Sequence, residues 1–405
     1  MTLSAELDRC VMCGMCSQHC PTYQLTADEN ESPRGRIALI AALSSEQLNA
    51  DARLQTHLEH CTGCRACEAY CPSGVRFGTI MNEAKALLPR QPSPSMPSPQ
   101  TTRWLRLYQR SGLQKIARAS GLLKPLGLAQ KENLLPRIPD TPNWQSYYPV
   151  ESGINHCGDV ALFTGCIANI FDREALDASR RLLNALGYGV HVPPAQGCCG
   201  AMALHNGQVD ETTALAQQNL DAFSKLDIQA IVHTASGCTA HLSEYSQQLP
   251  GGQDFVGKIK DISQFLNGLE WPAHLPIAPL HKTVALHTPC SLQNVLRQAD
   301  APRQLLQRIP ELEVVPLAQS TRCCGGAGQY MLEQADFARQ LREQTLDALD
   351  NISLVEKTRQ KIDTLVTSNL GCALHLAAGL REREETITVT HPVVLLARQL
   401  KLQRY

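Results

Sequence analysis

Cys10-Val-Met-Cys13-Gly-Met-Cys16-Ser-Gln-His-Cys20-Pro21 returns, with its spacing unchanged, as Cys61-Thr-Gly-Cys64-Arg-Ala-Cys67-Glu-Ala-Tyr-Cys71-Pro72. The pattern C-x2-C-x2-C-x3-C-P lets three thiolates converge on one iron–sulfur cubane and sends the fourth to a second one. Two such runs predict an exchange: Cys10, Cys13, Cys16 and Cys71 on one [4Fe–4S] cluster, and Cys61, Cys64, Cys67 and Cys20 on the other. Each proline ends its loop because it has no N–H to offer and a fixed φ. Two four-thiolate zinc sites are the competing reading, but these pair two C-x2-C knuckles and have no use for three-plus-one runs.

The runs stand 40 residues apart, and the spacer carries helix formers in Arg34–Leu43 and Ala52–His60. This predicts an α-helical ferredoxin domain over residues 1–90, with its clusters held in loops at helix ends. Compact two-cluster domains joined by β-turns place their runs much closer together.

Working outward, eight further cysteines form an internal repeat. Val160-Ala-Leu-Phe-Thr-Gly-Cys166 matches Val284-Ala-Leu-His-Thr-Pro-Cys290, about 124 residues on. Cys198-Cys199-Gly200 matches Cys323-Cys324-Gly325, and Gly237-Cys238-Thr-Ala-His241 matches Gly371-Cys372-Ala-Leu-His375. The β-branched apolar runs before each cysteine read as buried strands, which places the thiols at strand ends. Helical stretches such as Arg173–Leu186 and Asp336–Leu349 alternate with them. The expected fold class is therefore α+β multidomain: the helical ferredoxin domain, then two pseudo-repeated α/β modules at 157–275 and 276–405. One metal centre per module would use Cys166, Cys198, Cys199 and Cys238, and Cys290, Cys323, Cys324 and Cys372. Iron–sulfur, zinc and free buried thiols all remain open for these eight. His241 and His375 read as exposed helix positions, with a ligand or proton-acceptor role as the alternative. His205 receives no role, and Cys157 is a spare thiol.

Composition sets limits. Seventeen cysteines in 405 residues are too few for a small disulfide scaffold and argue for metal or redox chemistry in a reducing compartment. Lys+Arg 37 against Asp+Glu 38 shows no excess of positive charge for nucleic acid. No run of ~18 apolar residues predicts a membrane span, and no secretory leader is expected at Met1–Cys10. The glycines of Gly325-Gly326-Ala-Gly328 fit a thiol loop better than a phosphate loop. Without a dinucleotide fingerprint, no flavin or NAD is expected in this chain. Residues 91–156 read as a Pro-rich and basic linker. Ala84–Lys131 holds nine basic residues and no acid, and Trp104, Leu107, Tyr108 and Ile116 alternate with Arg103, Arg106, Arg110, Lys115 and Arg118. This suggests a basic amphipathic helix, interrupted by Gly112 and Gly121, which either meets an anionic surface or packs on its own protein.

These motifs, with Cys20-Pro-Thr-Tyr-Gln-Leu25, Pro33-Arg-Gly-Arg36, Cys71-Pro-Ser-Gly-Val-Arg76, Thr234-Ala-Ser-Gly-Cys238 and Leu370-Gly-Cys372, resemble the glycolate oxidase iron–sulfur subunits over nearly the whole chain. The Cys-Cys-Gly repeats place the chain in the wider cysteine-rich-domain group, with heterodisulfide reductase and lactate-utilisation proteins. The resemblance implies flavin-binding partner subunits that oxidise glycolate to glyoxylate. It also implies passage of electrons towards quinone, and a peripheral place on the cytoplasmic face of the inner membrane. A related lactate or glycerol-3-phosphate dehydrogenase is the alternative, as is a catalytic cysteine-rich protein of the heterodisulfide-reductase type. Where that last group ends in C-x-x-C, both modules here end in C-x-x-H, so a fifth thiol is missing. Arg34, Arg36, Arg65 and Arg76 are expected either to tune charge near the clusters or to make ordinary surface and partner contacts.

Overall fold

The computed structural model describes residues 3–89, 99–121, 123, 125, 127–139, 143–247, 249, 251–272, 275–317, 323–355 and 362–400. The Pro-rich residues 91–98 and Arg322 lie outside these.

The N-terminal unit is helical, as its composition predicts. Its main helices are α1 (Leu3–Leu7), α2 (Pro33–Ser44), α3 (Ala52–Glu59) and α4 (Phe77–Ala86). Ser32 caps α2 through its side chain, with Pro33 at the first turn where no N–H is needed, and Asp51 caps α3. Ile37, Ile40, Leu54, Leu58, Ile80 and Met81 form its core, and the cysteine loops lie beside it.

Residues 99–120 form α5 (Pro99–Arg110) and α6 (Leu113–Ser120), two helices where a single one was the simplest expectation. Gly112 has φ +79° and Gly121 φ +69°, left-handed conformations that break the first helix and end the second.

Two sheets follow. The first contains β1 (Tyr147–Tyr148), β2 (Gly158–Leu162), β3 (Tyr188–His191), β4 (Ile231–His233) and β5 (Ile259–Asp261), in the order β1-β3-β2-β4-β5. The second contains β6 (Lys282–His287), β7 (Leu312–Pro316), β8 (Thr364–Thr367) and β9 (Thr388–Thr390), in the order β7-β6-β8-β9. Apart from the antiparallel edge strand β1, all pairings are parallel, and the registers repeat. Val160 sits beside Val190 as Val284 does beside Val314, and Leu162 beside Val232 as Leu286 does beside Val366. In each sheet the chain leaves the first central strand to one side and returns on the other. The crevice between β2 and β4, or β6 and β8, is where such sheets place their sites.

Alternating side chains on these strands serve two cores. Val160, Leu162 and Val232 join Val284, Leu286 and Val366 in one core shared by both modules. Ala161, Phe163 and Ile231 turn to a core of module 1, and Ala285 and Leu365 to one of module 2. The helices complete the exchange. The last helix of module 1, α10 (Ile262–Asn267), packs on α11 (Ala301–Leu306) of module 2. The last helix of module 2, α14 (Pro392–Gln399), packs on α7 (Arg173–Ala185) of module 1. Asn267 Nδ2 donates to Ala301 O at 2.8 Å, and Arg398 pairs with Glu174 at 2.9 Å. The remaining long helices are α8 (Val209–Phe223), α9 (Ser236–Leu242), α12 (Ala335–Val355) and α13 (Leu370–Glu382).

Candidate functional site

All eight repeat cysteines stand at the carboxyl ends of parallel strands. Cys166 and Cys290 follow β2 and β6, the vicinal pairs follow β3 and β7, and Cys238 and Cys372 lie in the first turns of α9 and α13. Each vicinal pair ends on a left-handed glycine, Gly200 at φ +87° and Gly325 at φ +77°, which only glycine adopts without strain. In module 2 a Cβ on Gly326 would lie 2.7 Å from Gly371 O. The two thiol-bearing loops meet backbone to backbone there, and the glycines do shape the loop.

The thiols pair alike in both modules. Cys166 lies 3.2 Å from Cys198, and Cys199 bonds Cys238. In module 2, Cys290 bonds Cys323 and Cys324 bonds Cys372. Sharing one proton pushes the pKa of one partner up and the other down: Cys166 and Cys290 rise, while Cys198 and Cys323 fall. Four sulfurs so arranged suit a metal that accepts thiolates. Both sets line a single cavity of about 580 Å³, into which the ferredoxin-like unit projects Cys61 and Arg65.

In that unit, Cys67 has Cys64, Cys61, Cys20 and Glu68 as electrostatic neighbours. Cys10, Cys13, Cys16 and Cys71 line a second, small pocket together with Arg34, and Cys67 reaches its wall. Both donor sets fit a cubane: sulfurs converge, backbone N–H groups point at them (Val75 N to Cys71 Sγ, 3.5 Å), and cations stand near. Burial raises the pKa of Cys16 and Cys67, so these two thiols stay protonated until a metal takes them.

Of the four arginines, Arg36 is fully buried. It donates to Glu31 Oε2, to Glu31 O at 2.6 Å and to His57 O at 2.8 Å, with Nη1 3.9 Å from Cys20 Sγ. Glu31 Oε1 also bonds His57 Nδ1 at 2.7 Å and His60 Nδ1 at 2.8 Å. Arg76 pairs with the buried Glu6, and Arg34 with Glu29. Arg65 bridges Glu68 to Glu244 of module 1.

The ferredoxin-like unit docks on module 2 through its second cysteine loop. Cys64 is buried with Ala66 and Cys323, against Cys290. Asn294 Nδ2 donates to Cys64 O at 2.8 Å, Tyr330 Oη to His60 O at 3.1 Å, and Thr62 bonds Cys323. His60 stacks on Phe337 with ring centroids 4.3 Å apart.

Two expectations need correction. His241 and His375 lie on helices but are buried, at 6% and 2% exposure. Their helices turn inward beneath the thiol loops. His375 Nε2 bonds Ala338 O at 3.0 Å, whereas His241 Nε2 has no partner and lies 3.5 Å from a Cβ placed on Gly200. His205, given no role, lines the cavity beside Gly63. Cys157 is exposed and lies outside both thiol sets. Glu31, Glu6, His233 and His287 are site features that no motif flagged.

A helical domain with two cubane-type thiol sets, joined to two Cys-Cys-Gly modules, defines an iron–sulfur oxidoreductase component. Family models agree: a "4Fe-4S dicluster domain" matches residues 6–75, a "Cysteine-rich domain" matches 160–243 and again 284–377, and "Glycolate oxidase iron-sulfur subunit, linker region" matches 100–135. The chain is 33% identical to the probable glycolate oxidase iron-sulfur subunit of Bacillus subtilis, covering 94% of this chain and 90% of the relative. It is 32% identical to the glycolate oxidase iron-sulfur subunit of Escherichia coli, covering 93% and 91%. A component of the dihydromethanophenazine:CoB–CoM heterodisulfide reductase of Methanosarcina barkeri is 26% identical over 98% of this chain and 95% of its own. A crystal structure of a hypothetical protein from Helicobacter pylori shares the fold at TM-score 0.54 and 10% identity, covering 92% of this chain and 68% of that one. The chain belongs to the glycolate oxidase iron–sulfur subunit family. Among the described residues, no helix is long and apolar enough to cross a membrane.

Proposed function

We propose that the chain is the electron-transfer subunit of a flavin-dependent glycolate dehydrogenase complex. It takes electrons from flavin on partner subunits, where glycolate becomes glyoxylate, and sends them towards quinone at the cytoplasmic face of the inner membrane. In this reading Cys10, Cys13, Cys16 and Cys71 hold one [4Fe–4S] cluster, and Cys61, Cys64, Cys67 and Cys20 hold the other. Cys166, Cys198, Cys199 and Cys238 bind one further metal centre, and Cys290, Cys323, Cys324 and Cys372 bind another. The glycolate oxidase names of the relatives support the substrate and the hetero-complex.

When bound, such clusters supply reversible one-electron chemistry, which splits the pair released by a 2-hydroxy acid. The chain's residues set the conditions for it. Arg36, beside Cys20, and Lys85, near Cys61, offset thiolate charge. Burial of Cys20, Cys64 and Cys67 shields three of the four thiols of the second set from water, while Cys61 borders the cavity. The observation that carries the reading is the buried contact of Cys64 with Cys323 and Cys290, which joins a ferredoxin thiol set to a module thiol set without intervening solvent.

The membrane part of the reading rests on α5 and α6. Gln109 and Arg118 tie them to residues 132–138, while Trp104 (71% exposed) and Ile116 (64%) face outward beside Arg103 and Lys115. The full chain should bind vesicles containing anionic lipid, less so as salt rises, and several-fold less in the W104S/I116S variant. Equal binding by parent and variant would remove this part.

The deciding test is anaerobic purification with partners retained, then addition of glycolate. Reduction of the clusters, seen by EPR, is expected. If lactate reduced them and glycolate did not, the substrate assignment would fail. A second reading, in which the modules act on a disulfide themselves, is favoured by the cavity that both thiol sets line; turnover of a disulfide by the isolated chain would support it.

A further inference from the structure

Two histidines to which the motifs gave no role face the thiol sets. The register of β2 with β4 puts Phe163 opposite His233, and that of β6 with β8 puts His287 opposite Thr367. The same strand pair therefore carries one histidine in each module, but on opposite strands. Both are 1% exposed. Each anchors Nδ1 on the neighbouring strand: His233 to Phe163 O at 2.6 Å, His287 to Thr367 Oγ1 at 2.9 Å. His287 leaves Nε2 buried with no hydrogen-bond partner, and the His233 ring has only the Cys238 thiol.

Burying an imidazole nitrogen without a full hydrogen-bond partner is unfavourable, and here it recurs at equivalent places on different strands. The surroundings explain it. A donor atom of His287 lies with the thiols of Cys324 and Cys372, all within 4.8 Å of one another. In module 1 the His233 ring lies within bonding reach of Cys238, and a Cβ on Gly165 would come 3.8 Å from its Nε2. A carbonyl only accepts, so the proton of His233 is on Nδ1 and the Nε2 lone pair points at the site. This is the tautomer that metal-bound imidazoles adopt when the other nitrogen is held by a carbonyl. His287 can do the same through the Thr367 hydroxyl.

We propose that each cysteine-rich module takes a histidine nitrogen as a fifth donor to its metal centre, Nε2 of His287 in module 2 and Nε2 of His233 in module 1. The imidazole stands in for the thiol missing from the C-x-x-H ends. Thiolate with imidazole suits iron and zinc alike; a single zinc ion, closed at four donors, would take the nitrogen in place of one thiolate, and the inference is independent of electron transfer or glycolate.

The test uses the full chain, purified anaerobically, with iron and zinc counts and X-ray absorption at the edge of whichever metal exceeds the ~8 Fe of two cubanes. The parent should show a nitrogen shell in that excess metal. H287Q and H287A should release the module 2 metal to a chelator at least tenfold more readily, with the EPR signals of the first eight irons unchanged. H287C should recover it, and H233Q should do the same to module 1. No metal beyond ~8 Fe would overturn the proposal. So would an all-sulfur shell in the parent, or full chelator resistance in H287Q and H287A. If both variants unfold, the nitrogen shell of the parent decides.

Discussion

Arg36 shows how much rests on one side chain. Its guanidinium is buried, holds Glu31 and His57 O, and reaches towards Cys20. Removing one partner of a buried ion pair strands the other. R36M should therefore cost about 3–5 kcal/mol in urea unfolding of the anaerobic protein. Loss of a positive charge beside Cys20 should also lower the reduction potential of the adjacent cluster. Lysine keeps the charge but should not restore the stability, because it lacks the planar fork that serves Glu31, Thr22 and His57 O together. An unchanged potential in R36M would assign Arg36 to stability alone. In the sequence, Arg36 was one of four arginines with an open role; nothing local marks it as buried, since its acceptors lie 5 and 21 residues away.

Among the elements, α10 carries a direct pH test. Asp261 caps it by accepting from Ser263 N at 2.8 Å, yet the carboxyl is 1% exposed, and burial pushes its pKa from 3.8 up to about 6. The folded chain thus keeps a proton that the unfolded chain loses between those values, so stability from this residue falls as pH rises through about 6. D261N retains the capping oxygen without the charge. It should match the parent only below the unfolded value of 3.8, gain about half of its advantage by pH 5, and exceed the parent at pH 8 by about 2–3 kcal/mol in denaturant unfolding. A constant difference between the two pH values would refute this account.

Elements also mark what the sequence could reveal. The repeat was readable because strand, thiol and glycine recur at fixed offsets, and left-handed φ at Gly200 and Gly325 demands the same residue twice. The short outer strands β5 and β9, three residues each, carry too little pattern to be seen. His233 and His287 were missed because each ends an apolar strand run and resembles a core histidine. A comparison of Val160–Cys166 with Val284–Cys290 does show Phe163 replaced by His287, which was the one available signal.

For the whole molecule, no local pattern foretells that Cys64 will meet Cys323, because the contact depends on how a helical unit docks 259 residues away. That docking gives a test by metal removal. With buried thiols on both sides, the metal-free chain should melt at lower temperature. Residues 60–67 and 288–295 should also lose hydrogen-exchange protection together. Loss confined to 60–67 would show that the units are not coupled through the metal sites.

The crossed packing of α10 on α11 and α14 on α7 amounts to a two-fold dimer written into one chain. Two identical subunits meeting this way would have to carry identical sites. Covalent fusion lifts that requirement. It lets one half keep its histidine on the second central strand and the other on the first, and lets Cys323 of one half stand against Cys64 of the ferredoxin-like unit. Symmetry describes the architecture, and joining the halves leaves the two thiol sites free to differ.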